Sequence, residues 1–243
     1  EGFQCSYSPD ISVQQHQVAG TVAERVQHFN ALIHNPDIKA IWNVRGGYGS
    51  AEIVDLVDWG ALVAQPKWLI GFSDFTTFLC HGIQKGIATL HAPMPISFSI
   101  THPDALTATF DVLRGKEDAL HCALPKEVHG QIIAGNLSVI SSILGTPSLP
   151  NLDDCVLIIE DLDEYHYHVD RMLTALKRAG MFKNITGLIT SITAGSIPQW
   201  CDLNGANCST TAPAVPSKPG VYVWCVKALD TATRLLSNPC KLD

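Results

Sequence analysis

Lys67-Trp-Leu-Ile-Gly-Phe-Ser-Asp-Phe-Thr-Thr-Phe78 is the stretch that decides how this chain is read. The apolar run over 68–70 has the length of a buried strand. Gly71 permits a tight turn, and from Thr76 onward apolar positions recur at helical spacing. Ser73 therefore stands on a strand-to-helix corner. Such a corner lifts a hydroxyl above the edge of a sheet, beside backbone N–H groups able to stabilise an oxyanion, which suits a nucleophile. The pattern Gly-x-Ser-x-Gly is incomplete, because Phe75 occupies the last glycine position. Taken alone, the stretch also reads as an ordinary strand–turn–helix with Ser73-Asp74 as the helix cap.

Working outward, Thr21-Val-Ala-Glu24 is a capping box, and Val22, Val26, Phe29, Leu32 and Ile33 carry helical periodicity to about His34. Asn35-Pro-Asp37 breaks that helix. A strand is expected over 40–44, then a turn at Arg45-Gly-Gly-Tyr-Gly-Ser50 and a helix over 51–57. Past the Ser73 corner come a helix to about Gln84 and a strand over 88–90. Strands alternating with helices predict an α/β fold with a parallel sheet covered on both faces.

The pattern weakens between about Thr101 and Gln131, which places an N-terminal parallel-sheet domain over 1–110, a linker over 111–130 and a smaller C-terminal α+β domain over 131–243. In the latter, Gly135-Asn-Leu-Ser138 opens a helix that Gly145-Thr-Pro147 ends. Residues 155–159 form an apolar strand running into Glu160-Asp-Leu-Asp-Glu164, and Val169, Met172, Leu173 and Leu176 mark a helix face before Gly180. A strand is expected over 185–192. Residues 193–243 are an atypical tail rich in Ala, Thr, Ser, Pro and Cys.

A chain of 243 residues with 46% hydrophobic and 16% charged residues reads as a globular protein. Its net charge of -7, with no Lys/Arg run, argues against nucleic acid and anionic membrane as partners. No apolar run approaches the ~18 residues of a membrane span, and no signal peptide is visible, so a cytoplasmic location is expected. The opening Glu1-Gly-Phe, without methionine, reads as a truncated start. Of eight cysteines, Cys80 and Cys155 lie in apolar contexts typical of buried thiols. Cys201, Cys208, Cys225 and Cys240 crowd the tail without Cys-x-x-Cys spacing, so a structural zinc is not expected.

Arg45-Gly-Gly-Tyr-Gly follows a strand and precedes a helix, where α/β folds bind anions on backbone N–H groups. It lacks the dinucleotide glycine spacing, and also reads as a plain glycine-rich turn. Glu160, at the end of an apolar strand, is placed to orient a base or is a solvated strand end. His166 and His168 share a face only if extended and lack a third metal ligand. His91 reads as structural. Arg45 and Arg171 suit either a substrate carboxylate or an ion pair.

The set Ala19-Gly-Thr-Val-Ala-Glu-Arg25, Val44-Arg-Gly-Gly-Tyr-Gly-Ser50, Gly71-Phe-Ser-Asp-Phe-Thr76, His91-Ala-Pro-Met94, Gly135-Asn-Leu-Ser138, Leu144-Gly-Thr-Pro147, Ile159-Glu-Asp-Leu-Asp-Glu164 and Val169-Asp-Arg-Met-Leu173, in this order, resembles the LD-carboxypeptidase (muropeptide carboxypeptidase) family, which includes the microcin C self-immunity peptidases. The resemblance implies a flavodoxin/amidotransferase-like N-terminal domain. It also implies Ser73 as nucleophile, Glu160 as the acidic triad member, and an oxyanion hole from the amides of Asp74 with Gly46 or Gly47. Substrate-binding roles fall to Arg45 and Asn136, with neither metal nor cofactor. The implied substrate is a small muropeptide-like peptide losing its terminal D-amino acid, and the implied assembly a homodimer. Two departures stand out. The chain starts after the family's first strand-and-turn unit, and no histidine follows His168, whereas the family's catalytic histidine lies in a Gly-His turn near the C-terminus. The expectation is a serine-type LD-carboxypeptidase impaired for want of that histidine. The alternatives are a non-catalytic muropeptide-binding descendant, or a general serine esterase or amidase.

Overall fold

Thr21 and Glu24 do close the capping box: the Thr21 hydroxyl accepts from the Glu24 amide, and the Glu24 carboxylate accepts from the Thr21 amide at 2.7 Å. This starts α1 (Val22–His34), which Asn35 ends in extended conformation. The Thr21 amide and hydroxyl both donate to the Glu24 carboxylate, which holds it below its usual range. The structure, a computed structural model, describes residues 2–7, 11, 13–15, 18–116 and 129–194, with short strands at 200–201, 208–209, 224–226 and 237–239. Most of the expected linker at 111–130 and of the expected tail at 193–243 lies outside the described residues.

The chain divides into two compact units. The first comprises Glu1–Ser99 with Gly145–Pro150. In it β1 (Ala40–Trp42), β2 (Trp68–Gly71) and β3 (Thr89–His91) pair in that order, all parallel. The short helices α2 (Ser50–Ile53) and α3 (Trp59–Ala64) connect β1 to β2, and α4 (Thr76–Gln84) connects β2 to β3. The core lies under α1 and α4, where Ile33, Leu62, Leu69, Phe75, Phe78 and Leu79 are buried together. Lys67 is buried as well. Its ammonium donates to the carbonyls of Asn35 and Ile38 at 2.7 and 2.8 Å, tying the end of α1 to the start of β2. Residues 145–150 join this unit through His81, whose Nδ1 lies 3.0 Å from Ser148 Oγ and whose ring stacks on Trp59 at 4.5 Å.

The second unit comprises Ile100–Leu144 and Asn151–Asp243. After α5 (Pro103–Leu113) it builds β4 (Gln131–Asn136), α6 (Leu137–Ser142), β5 (Cys155–Glu164), α7 (His166–Arg178) and β6 (Gly187–Ala194). The three strands are parallel in the order β4-β5-β6. Segments at 224–226 and 237–239 extend the sheet antiparallel beyond β6. Ile133, Leu157, Ile159 and Leu188 are buried along these strands, as are Leu137, Ile140 and Leu176 on the two helices.

The architecture is thus α/β on parallel sheets, as the alternation predicts. The elements α3, α5 and β4 were not foreseen, nor were the short strands within 193–243. The acidic run after Ile159 continues β5 rather than ending it, with a bulge between Leu162 and Glu164 where Asp163 takes φ +62°. His166 lies in α7, not on an extended face. Cys80 and Cys155 are buried free thiols, pushed up to about 12 and about 11 by desolvation. Among the described residues no helix is long and apolar enough to cross a membrane.

Gly71 has no room for a side chain, since a Cβ there would stand 2.7 Å from Phe75 Cδ1 and 3.1 Å from Asn43 Cβ. Gly71→Ala is expected to destabilise the chain by about 1–3 kcal/mol through overpacking, read as a fall in the denaturant midpoint at unchanged m-value.

Candidate active site

Because β1, β2 and β3 run parallel, the loops after them share one edge of the first unit's sheet. The ladder extends into that edge through Asn43 N–H to Ile70 O and Ala92 N–H to Gly71 O. The glycine segment 45–49, the Ser73 corner and the segment after His91 therefore meet there, at the customary ligand edge of such sheets.

Ser73 takes φ +59°, a left-handed conformation uncommon for a residue with a side chain. It opens a single 3-10 turn, Ser73–Phe75, which runs directly into α4. The amides at the head of such a turn have no acceptor within the helix, so those of Ser73 and Asp74 remain available. Neither residue caps the helix through its side chain. Instead the Asp74 carboxylate accepts the backbone N–H of Ser50 at 2.9 Å. The helix-cap reading of Ser73-Asp74 is thereby corrected: a positive φ at Ser73 turns the pair away from capping geometry, and Asp74 bonds across the sheet edge.

The glycine segment lies against the serine. A Cβ on Gly46 would stand 3.2 Å from both Cβ and Oγ of Ser73, and 3.4 Å from Met94 Cε, so the Gly46 backbone faces the hydroxyl over a buried methionine floor. Gly47 and Gly49 take φ +145° and +118°. Arg45 is exposed, and its Nε donates to Gly46 O at 3.1 Å. Ser73, Gly46, Gly47, Asp74 and Arg45 are thus brought together within one unit. His91 is displaced toward the neutral form, its pKa pushed down to about 4 by burial.

Glu160 and Asn136 belong to the second unit, as cross-strand partners on β5 and β4. Asn136 caps α6, its side-chain oxygen accepting from the Val139 amide at 3.2 Å and from Ser138 Oγ at 2.7 Å. Its amide group donates to Asp161 Oδ1 at 3.1 Å. Buried Asp161 also accepts the N–H groups of Ser138 (3.0 Å) and Leu162 (2.9 Å). Burial raises its pKa, and these donors oppose that rise. Glu160 is pushed up to about 7, first by burial and then by the neighbouring Asp161 charge, with Asn136 opposing. Asp161, the anchor of this cluster, is the residue that sequence reasoning passed over. Its place beside Glu160 was visible, but its donors at 136 and 138 were not.

Farther along, His168 Nδ1 lies 2.9 Å from Glu164 Oε2, and the Arg171 guanidinium sits 5.4 Å from the Tyr167 ring centroid. Among the described residues no group of three His, Cys, Asp or Glu side chains is arranged to hold a metal.

Residues 1–92 match the LD-carboxypeptidase N-terminal domain, and residues 129–208 the LD-carboxypeptidase C-terminal domain. The probable murein peptide carboxypeptidase of Bacillus subtilis is 30% identical over 200 residues, covering 77% of this chain and 62% of that protein. The murein tetrapeptide carboxypeptidase of Pseudomonas aeruginosa is 30% identical over 182 residues, 68% of this chain and 59% of that one. A solved structure of MccF in complex with glutamyl sulfamoyl guanosine is similar at a TM-score of 0.64 and 27% identity, covering 72% of this chain and 64% of that chain. The chain spans between 59% and 63% of the length of the first four curated relatives it matches. Both domains of one family are matched in order, and the second unit, expected as α+β, is built on the parallel strands β4, β5 and β6: the chain belongs to the LD-carboxypeptidase family.

Proposed function

We propose that this chain is built as a serine-type LD-carboxypeptidase, releasing a terminal D-amino acid from muropeptide-like peptides. The observation that carries the reading is Ser73 at φ +59° with the Gly46 backbone against its hydroxyl. In this reading Ser73 Oγ attacks the amide carbonyl before the terminal residue, and the amides of Asp74 and of Gly46 or Gly47 receive the developing oxyanion. The C–N bond breaks, the D-amino acid leaves with a proton, and water hydrolyses the acyl-serine. Arg45, exposed beside Ser73, takes the substrate's terminal carboxylate. Asn136 serves as a substrate-binding group near the strand end that carries Glu160. Glu160 is the acidic member that orients and stabilises a protonated base. The reading carries with it a cytoplasmic enzyme working as a homodimer without a cofactor. Relatives named murein carboxypeptidases support the substrate class.

A second reading is that of a non-catalytic muropeptide binder: residues 169–243 hold no histidine, so within them the base expected near the family's C-terminus is not supplied. Loss of the triad histidine costs roughly 10^6-fold in kcat in a well-studied serine peptidase, leaving only what the oxyanion hole and binding supply.

Release of the terminal D-amino acid from an L,D-tetrapeptide separates these readings. Under the first, Ser73→Ala lowers release at least about 10^3-fold while peptide affinity stays within about threefold of wild type. Binding without release in the wild-type chain selects the second reading. Release undiminished by Ser73→Ala rejects the serine mechanism.

The raised pKa of Glu160 gives a separate expectation. A carboxyl that binds its proton more tightly when folded stabilises the fold at low pH and loses that contribution as pH rises. Wild-type stability is therefore expected to fall between about pH 4.5 and about pH 7, the ordinary and raised values for Glu160. Glu160→Gln is expected to flatten that slope, measured as denaturant midpoint against pH.

A further inference from the structure

Residues 46–49 must hold still if they are to meet an oxyanion, yet the segment contains two glycines at positive φ, Gly47 and Gly49, and is therefore soft. Three bonds restrain it from outside. Asn43 Nδ2 donates to Arg45 O at 2.7 Å, and the Ser50 amide donates to Asp74 Oδ2 at 2.9 Å. The third comes from α1: Arg25 Nη1 donates to Gly49 O at 2.9 Å. The second guanidinium nitrogen of Arg25 lies 2.5 Å from Glu52 Oε2. The Glu52 amide itself donates to Gly49 O at 3.2 Å, so Arg25 clasps a carbonyl and a carboxylate at the two ends of the first turn of α2.

The fit is specific to both residues. The Arg25 side chain is only 12% exposed, so salt screens its contacts weakly. A Cβ on Gly49 would stand 2.5 Å from Arg25 Nη1, so the bare backbone of Gly49 supplies the space that the guanidinium fills. A planar fork reaches both acceptors at once, which the point charge of lysine does not.

We infer that Arg25 is a positioning residue: from α1 it fixes the C-terminal anchor of the glycine segment and so sets the oxyanion side of the Ser73 corner. This rests on the serine reading above. Arg25 touches no substrate in this scheme and acts through Gly49.

The test compares two ligands on the full chain. A peptidyl boronic acid forms a B–O bond to Ser73 Oγ, the hydroxyl proton passes to solvent, and the resulting tetrahedral boronate anion presents its oxygen to the oxyanion donors. A tetrapeptide whose scissile amide is reduced to CH2–NH binds without that oxygen. Calorimetry on Arg25→Ala is expected to show boronate affinity weakened about 10- to 100-fold, as for partial loss of oxyanion donors. Affinity for the reduced tetrapeptide should stay within about threefold, and Arg25→Lys should recover little of the boronate loss. Equal losses for both ligands, or an unchanged boronate affinity, would overturn the inference. If Arg25→Ala does not fold, Glu52→Gln releases one arm of the clasp and is expected to shift boronate affinity alone, by about threefold. A boronate affinity unaltered by Ser73→Ala overturns the serine reading itself, a pattern distinct from failure at Arg25.

Discussion

The left-handed backbone at Ser73 is the constraint around which the first unit is arranged. A side-chain-bearing residue held there costs on the order of 1–3 kcal/mol and persists only where its surroundings over-determine it. Phe75, two residues on, supplies much of that. It spoils the Gly-x-Ser-x-Gly pattern, yet it is buried, stacks on Phe78 at 5.2 Å between ring centroids, and fills the space beside Gly71 that a Cβ would need. Phe78 in turn stacks on Phe29 of α1 at 4.8 Å. The corner is thus pinned into the aromatic core from below, while Asp74 ties it sideways to Ser50. A glycine at position 75 would relax the corner and forfeit this anchor. The departure from the motif is part of how the conformation is kept.

A comparable division of labour governs the acidic pair of the second unit. Asp161 receives three hydrogen bonds, a set that favours the ionised form against the cost of burial. Glu160 stands next to it and is pushed up to about 7, first by burial and then by that neighbouring charge. Burial thus raises both carboxyls, opposed at Asp161 by three donors and at Glu160 by Asn136 alone. The partition begins at Asn136, whose cap of α6 brings the Ser138 amide onto Asp161.

Elements with strong local signals were legible in the sequence: the capping box and periodicity of α1, the apolar run of β2, and the stripe of α7 ending at Gly180. Elements without one were not. The six residues of α3 are too few to show a period, and the helix is started by Asp58 accepting from the Ala61 amide. The threonines of α5 blur its stripe; Thr109 is buried and turns its hydroxyl back onto Ala105 O. The run of β4 is short and broken by Gly135, which masked a strand paired with β5 along its whole length. At the candidate site the residue types and their edge of the sheet could be read. The φ of Ser73, the reach of Asp74 to Ser50 and of Arg25 to Gly49, and the donors on Asp161 could not. Each depends on contacts across 23 to 25 residues or on backbone torsion.

The acidity of Glu160 also bears on the role proposed for it. A triad carboxylate next to an imidazolium is drawn down in pKa, because the positive charge favours its ionised form. Glu160 shows the opposite, a value raised by burial and by a like charge. Burial keeps His81 and His91 below their ordinary pKa, and His168 is directed at Glu164. A cation supplied to Glu160, from whatever source, would pull its pKa down and remove the pH-dependent loss of stability that its burial imposes.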